Sequence, residues 1–469
     1  MGTFSQKKPG SRYGRATKSE AYHPNESGYQ LNFGLVKFEN TYGRIKEFLE
    51  SSEFAQLARV EKSDFTRSRS LPLPLLVTML LNLRKWTIQD ELDRFFEVLS
   101  DQPLAQGVTA SAFCQARKKL NPLALAALSS RLVMDFHKHF ALHRWRGFRL
   151  LAVDGSTARL PHTPDVVANF GEPPKGASVP LARLSCLYDV LNGVMIEADI
   201  VARSEGERVL AGEHLAATHA DDLLLYDRGY PAFWLFALHA IERRHFCARV
   251  PVGFSNEVKA FVDSAQTDAR VVFAPSDQAR RQCAIYALPD EVITLRLIRV
   301  NLPSGEIEVL VTSLLNNAAF PTDCFAELYH KRWGIEESYL TQKYRLEIEN
   351  FSGKSAQAVR QDFYAKLFTL NLTAIIAWVA QAIAERRFAS RRRLYTVNFA
   401  NAPQRRIEDE GQRRATVPRV LRARVNHASR LGHGQCRRSC PARPLLSSKL
   451  QENQPASVPS QSQGVPLMA

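Results

Sequence analysis

The chain has 469 residues, with 62 Lys+Arg against 47 Asp+Glu and a formal net charge of +15. At 45% hydrophobic and 23% charged it has ordinary globular composition, which excludes a wholly disordered chain, a collagen-like fibre and a small disulfide scaffold. The positive balance points to a polyanionic partner, nucleic acid first, or to a merely basic soluble enzyme.

The seven cysteines are sparse and odd in number, so a reducing cytoplasm is expected rather than a disulfide framework. The N-terminal sequence MGTFSQKKPGSRYGRATKSE has no apolar core and does not read as a signal peptide. Residues 367–384 are uncharged and reach the length threshold for a membrane span. Asn371, Thr373 and Gln381 interrupt them, and the stretch reads as a buried core helix.

In chain order, residues 1–31 read as a flexible basic arm and 32–145 as helical. Thr87 is the expected N-cap of TIQDELDRFFEVLS. The following TASAFCQARKKL presents Gln115, Arg117, Lys118 and Lys119, as a helix-turn-helix would, or as a helical bundle with a solvated basic face. Beyond residue 147, FRLLAVDGS is an apolar run ending in Asp-Gly-Ser. LARLSCLYDV and VMIEADIVA flank Asn192-Gly193 as a hairpin. A helix over 205–216, the run LLLYDRGY, the helix PAFWLFALHAIERR and the strand HFCARV complete a mixed α/β sheet. Residues 251–325 read as mostly β, through RVVFA, CAIYALP, ITLRLIRV and IEVLVTSLL; helices return over 322–348 and 356–387. The last 67 residues, 403–469, hold 12 Lys+Arg and 4 Asp+Glu with little apolar periodicity, and read as a disordered basic tail.

Asp154 and Asp227 each follow an apolar run. Carboxylates at the ends of neighbouring strands can share a divalent cation, although Asp-Gly after a strand is also an ordinary turn. In YHKRWGIEESYLTQK, Tyr329, Arg332, Glu336 and Lys343 stand at relative positions 0, +3, +7 and +14. At ~100° per residue they share one helical arc of roughly 60°, and Glu337 points about 100° away from Glu336. That face joins a carboxylate for metal to cations for phosphate oxygens; it reads equally as an amphipathic face with Arg332 and Glu336 paired at i,i+4. His137, His139 and His143 do not share a helical face, and His427, His433, Cys436 and Cys440 read as a fortuitous cluster rather than a zinc knuckle.

The pattern Tyr-x2-Arg-x3-Glu-x6-Lys, with Asp154 in VDGS and Asp227 in YDRGY, resembles the DDE transposases of bacterial insertion sequences, insertion sequence 4-like, over about residues 32–402. The resemblance implies a ribonuclease H-like α/β catalytic core over 146–402, with a β-rich insertion at about 251–325 and a helical DNA-binding region over 32–145. It implies Asp154, Asp227 and Glu336 as catalytic metal ligands for Mg²⁺, with Mn²⁺ as a substitute. Tyr329, Arg332, Lys343 and Arg228 would be DNA contacts, and Tyr230 an outer support. The implied reaction nicks element ends and joins 3′ ends to target double-stranded DNA. The implied assembly is a homodimer on paired ends, in the cytoplasm at the nucleoid and away from membranes. Two alternatives have the same sequence basis: an unproductive DNA-binding inhibitor of transposition, and a host nuclease of the same fold.

Two features depart from the resemblance. The insertion has no Trp. After VNFANA, which ends at Ala402, the text PQRRIEDEGQRRATVPRV replaces an expected apolar helical continuation, as a frameshift or rearrangement would.

Overall fold

The computed structural model describes residues 24–67, 71–83, 86–99, 107–302, 305–336, 348–387, 395–396 and 437–438. Six helices come first: α1 (Pro24–Glu50), α2 (Ser52–Ala58), α3 (Leu73–Asn82), α4 (Ile88–Leu99), α5 (Ala110–Arg117) and α6 (Pro122–His139). The first begins at Pro24, inside the stretch expected as an arm. Local signals set several starts. Thr87 Oγ1 accepts from the Asp90 amide at the start of α4, Thr109 caps α5, and Asn121 caps α6 with Pro122 in its first turn.

An eight-stranded mixed sheet follows: β1 (Arg149–Arg159), β2 (Leu181–Asp189), β3 (Val194–Ala202), β4 (Asp222–Tyr226), β5 (His245–Val250), β6 (Asp268–Phe273), β7 (Ile293–Asn301) and β8 (Ile307–Thr312). The order across it is β3-β2-β1-β4-β5-β8-β7-β6. Strands β1, β4 and β5 are parallel, and every other adjacent pair is antiparallel. The β2–β3 hairpin closes where expected, with Gly193 at φ +74°. Connecting helices are α7 (Pro164–Phe170), α8 (Glu207–Glu213), α9 (Phe233–Glu242), α10 (Asn256–Asp263), α11 (Asp277–Ile285) and α12 (Cys324–His330), followed by α13 (Ala356–Arg387).

Strand alternation divides the interior in two. Leu150, Ala152, Leu223 and Leu225 face the core shared with α1, α3, α6 and α13. Leu151, Val153, Leu224 and Tyr226 face the core filled by α8 and α9. Helix α13 spans the first core. Residues Ala356–Glu385 are long and apolar enough to cross a membrane (mean hydropathy 1.8), yet 67% of the apolar window is buried within this protein. Asn371, fully buried, explains one interruption of that apolar run. Its Oδ1 accepts from the Met195 amide at 2.7 Å, and its Nδ2 donates to the Met195 carbonyl at 2.8 Å and to Ser129 Oγ at 3.0 Å. It thereby satisfies both backbone groups on the outer edge of β3.

Three expectations need correction. The 251–325 segment is not mostly β. It contains α10 and α11, and Cys283–Ile285 of the expected strand CAIYALP end α11. Ser276, which accepts from the Ala279 amide at 3.2 Å, starts that helix. The segment's strands β6, β7 and β8 extend the central sheet beyond β5. Arg117 is not a solvated helix-face cation. It is 5% exposed and donates to Gln361 Oε1, Ser352 Oγ, the Ala358 carbonyl and Asp362 Oδ1, tying α5 to α13. Asp154 does not end its strand, because β1 runs on to Arg159. The expected disordered tail and the His427–Cys440 cluster lie outside the described residues, except Arg437 and Arg438, which pair with Thr396 and Tyr395.

Candidate active site

The last pair in the parallel ladder between β1 and β4 is Val153↔Tyr226. Asp154 and Asp227 are the next residue on each side, so two carboxylates stand at neighbouring positions where β4 stops and the sheet opens. Neighbouring strands lie about 4.8 Å apart. The apolar runs before each aspartate are the buried strand interiors that set this register: Leu150–Val153 and Leu223–Leu225 are all fully buried.

Helix α12 brings the third acid. Phe325 and Leu328 anchor it in the first core, and a 3-10 turn, Lys331–Trp333, carries the chain into a further helical turn holding Glu336. The segment before α12 is held by the 251–325 region. Buried Arg296 of β7 donates to Asp268 of β6 and to the Leu314 and Phe320 carbonyls, and Thr322 Oγ1 donates to Asp268. Tyr329, Arg332 and Glu336 share one face, as the spacing predicts. The Arg332 guanidinium lies 5.7 Å from the Tyr329 ring centre, and its Nη2 donates to Glu336 Oε1 at 2.7 Å. Lys343 lies outside the described residues.

Burial pushes the Asp154 carboxyl up to about 6; the Gly155 amide, donating at 2.8 Å, and Arg332 oppose the rise, while Glu336 and Asp227 add to it. The three acids therefore stand in one another's field. Burial disfavours the Arg332 charge, but Tyr329, Glu336 and Asp227 outweigh it and raise its pKa. Tyr329 is 8% exposed and donates to Asp227 Oδ1 at 3.3 Å, so it orients that carboxylate rather than facing solvent. Arg228 is exposed beside Asp227.

Gly155 belongs to the strand, not to a turn. A Cβ there would lie 3.3 Å from the Tyr230 hydroxyl and 3.5 Å from the Glu207 carboxyl carbon, so glycine admits Tyr230 next to Asp154. Sequence reasoning missed three supports. Arg208 Nε donates to the Gly229 carbonyl at 2.9 Å, bracing the loop after Asp227, and Glu207 pairs with Arg183. Arg249, near Tyr329, pairs with Glu308 at 2.9 Å. Each depends on contacts between distant segments, and a single sequence carries no signal for them.

An all-oxygen set of three acids fits a hard divalent cation. Burial is the main cause of the raised Asp154 pKa; Arg332 lowers it, and Glu336 and Asp227 add to it. Among the described residues, no three acidic, His or Cys groups converge closely enough to ligate one ion in this conformation. Glu336 Oε1 accepts from Arg332 Nη2 at 2.7 Å.

Residues 145–372 match the family model described as the transposase DDE domain. The domain match and the relative below support a DDE transposase of the insertion sequence 4-like type. Among curated proteins it is 26% identical over 318 residues to the transposase InsG for insertion sequence element IS4 of Escherichia coli (strain K12), covering 65% of this chain and 70% of that one. Among solved structures, the piggyBac transposase synaptic complex with hairpin DNA aligns at 10% identity over 84% of this chain and 85% of that one. Its TM-score of 0.42 is too low to equate the two folds.

Proposed function

We propose that this transposase nicks the ends of an insertion element and joins the 3′ ends to target DNA, with Asp154, Asp227 and Glu336 as the divalent-cation ligands. The observation that carries the reading is the register: the two aspartates succeed the last parallel pair Val153↔Tyr226, and Asp154 lies in the field of Glu336. The meander β3-β2-β1 with parallel β4 and β5 beside it supports a ribonuclease H-like core. When bound, two Mg²⁺ ions would lower the pKa of a water or a DNA 3′-hydroxyl and stabilise the leaving 3′ oxygen.

The chain's own residues do the rest. Tyr329 fixes the Asp227 carboxylate by its hydroxyl, Tyr230 packs beside Asp154, and Arg208 braces the Asp227 loop. Arg332, Arg228 and Lys343 hold phosphates near the cleaved end, with Arg best suited to bidentate contact. The helical region before β1 contributes to DNA binding, and two copies act on paired ends.

The test is cleavage of a fragment carrying the gene's own flanks, with and without Mg²⁺. Asp154→Asn, Asp227→Asn and Glu336→Gln should each abolish cutting while leaving DNA retention within about twofold, since the neutral amides keep the shape but lose the ligand charge. Cutting retained in Glu336→Gln would remove Glu336 from the site.

A further inference from the structure

Without DNA, Arg332 is turned to Glu336 rather than outward to a phosphate. It is 7% exposed, its Nη2 donates to Glu336 Oε1 at 2.7 Å, and its guanidinium is stacked toward Tyr329 at 5.7 Å. Its charge acts on Asp154 and Asp227 as well. The buried cation of the site is therefore the protein's own, and it engages the acid that comes from neither β1, which carries Asp154, nor the end of β4, which Asp227 follows. Glu336 is 32% exposed, so its carboxylate borders solvent while its arginine partner is buried.

Two consequences follow from charge alone. A carboxylate hydrogen-bonded to a guanidinium offers a cation less negative charge, and the guanidinium repels the incoming cation directly. A DNA phosphate is a competing partner of matching fork geometry, and Arg332 can reach one only by leaving Glu336.

We infer that Arg332 is an internal placeholder for the divalent cation, released from Glu336 by a DNA phosphate, so that cation loading is coupled to DNA binding. The coupling makes the DNA-free enzyme a poor cation binder and keeps its chemistry idle away from DNA. Linkage makes the effect reciprocal: cation raises DNA affinity by the factor by which DNA raises cation affinity, and such couplings commonly run ~5- to 150-fold. The inference rests on Asp154, Asp227 and Glu336 being the ligands, as proposed above.

The experiment titrates Mn²⁺ into the full-length protein and follows free Mn²⁺ by electron paramagnetic resonance, alone and with a short duplex, with the duplex-only blank subtracted. The wild type should bind Mn²⁺ about tenfold more tightly with duplex than without. Arg332→Gln should bind tightly without DNA, and its duplex-dependent gain should vanish. Equal Mn²⁺ affinity with and without duplex in the wild type overturns the coupling. So does a natively melting Arg332→Gln protein whose DNA-free affinity is unchanged. If Arg332→Gln does not fold, the wild-type comparison decides alone. Glu336→Gln separates the two readings. If it binds Mn²⁺ as the wild type does in both conditions, the ligand assignment itself fails. If it loses the binding while Arg332→Gln gains none, only the coupling fails.

Discussion

Asn371 and His239 show how single polar side chains hold the strands that carry the site. Asn371 replaces the missing neighbour of the edge strand β3 with two hydrogen bonds to Met195 from inside an apolar helix, and a third ties it to Ser129 of α6. Asn371→Leu keeps the volume but leaves the Met195 amide and carbonyl unsatisfied in the core. At ~1–3 kcal/mol for each buried unsatisfied group, the variant should lose about 3 kcal/mol, read as a lower urea midpoint at unchanged slope. His239 performs the matching task beneath the second aspartate. Its Nδ1 faces the Arg244 carbonyl at 3.1 Å, which can only accept, so Nδ1 carries the proton and Nε2 accepts from the Tyr226 hydroxyl at 2.9 Å. Tyr226 is the residue before Asp227. Burial holds the His239 pKa at about 3, against an ordinary 6.5. Below pH 6.5 the unfolded chain takes up a proton that the folded chain refuses. The stabilisation from neutral His239 is therefore complete above 6.5 and is lost on acidification toward 3, at ~1.4 kcal/mol per pH unit. Urea midpoints at pH 7, 6 and 5 should fall more steeply for the wild type than for His239→Gln. Parallel slopes would show that His239 is not the titrating group.

At the scale of elements, α5 was legible as a helix and illegible as a surface. Its caps and basic composition are local, but what buries Arg117 lies more than 230 positions away, at Ser352, Ala358, Gln361 and Asp362. Gly353 completes that fit, since a Cβ there would stand 2.6 Å from the Ala358 Cβ. Arg117→Met should therefore cost about 3–5 kcal/mol, the usual penalty for leaving a buried partner charge uncompensated. Specific DNA affinity of the protein that remains folded should stay within about twofold. A large loss of affinity at unchanged stability would restore the DNA-reading role that the basic sequence first implied. The same asymmetry governs the acids. Apolar runs ending in Asp made 154 and 227 readable, and helical spacing grouped Tyr329, Arg332 and Glu336. The β1–β4 register that makes the aspartates neighbours, and the continuation of β1 past Asp154, are products of pairing between segments. In the 251–325 region, short apolar runs resembled strands throughout, whereas the Ser276–Asp277 start and the burial of Ala279 and Cys283 make one of them a helix.

At the scale of the whole molecule, the charge is unevenly placed: residues 403–469 carry +8 of the total +15. Arg437 and Arg438 pair with Thr396 and Tyr395, just beyond α13, so two of the tail's cations are tied to the body of the protein. Each phosphate neutralised by a Lys or Arg steepens the fall of log K with log salt by about 0.9, because condensed counterions are released from the duplex. A chain ending at Ala402 should bind non-specific duplex more weakly below ~0.1 M salt, where the Debye length reaches ~10 Å. Its salt slope should be shallower by about two or more, the loss of at least two phosphate contacts. Cleavage at saturating DNA should be unaffected, since the three acids, Tyr329 and Arg332 all precede the cut. Fluorescence anisotropy on a labelled duplex from 50 to 300 mM salt measures the slope. If truncation leaves it unchanged, the phosphate contacts belong to the first 402 residues. The basic tail would then add charge to the chain without adding hold on DNA.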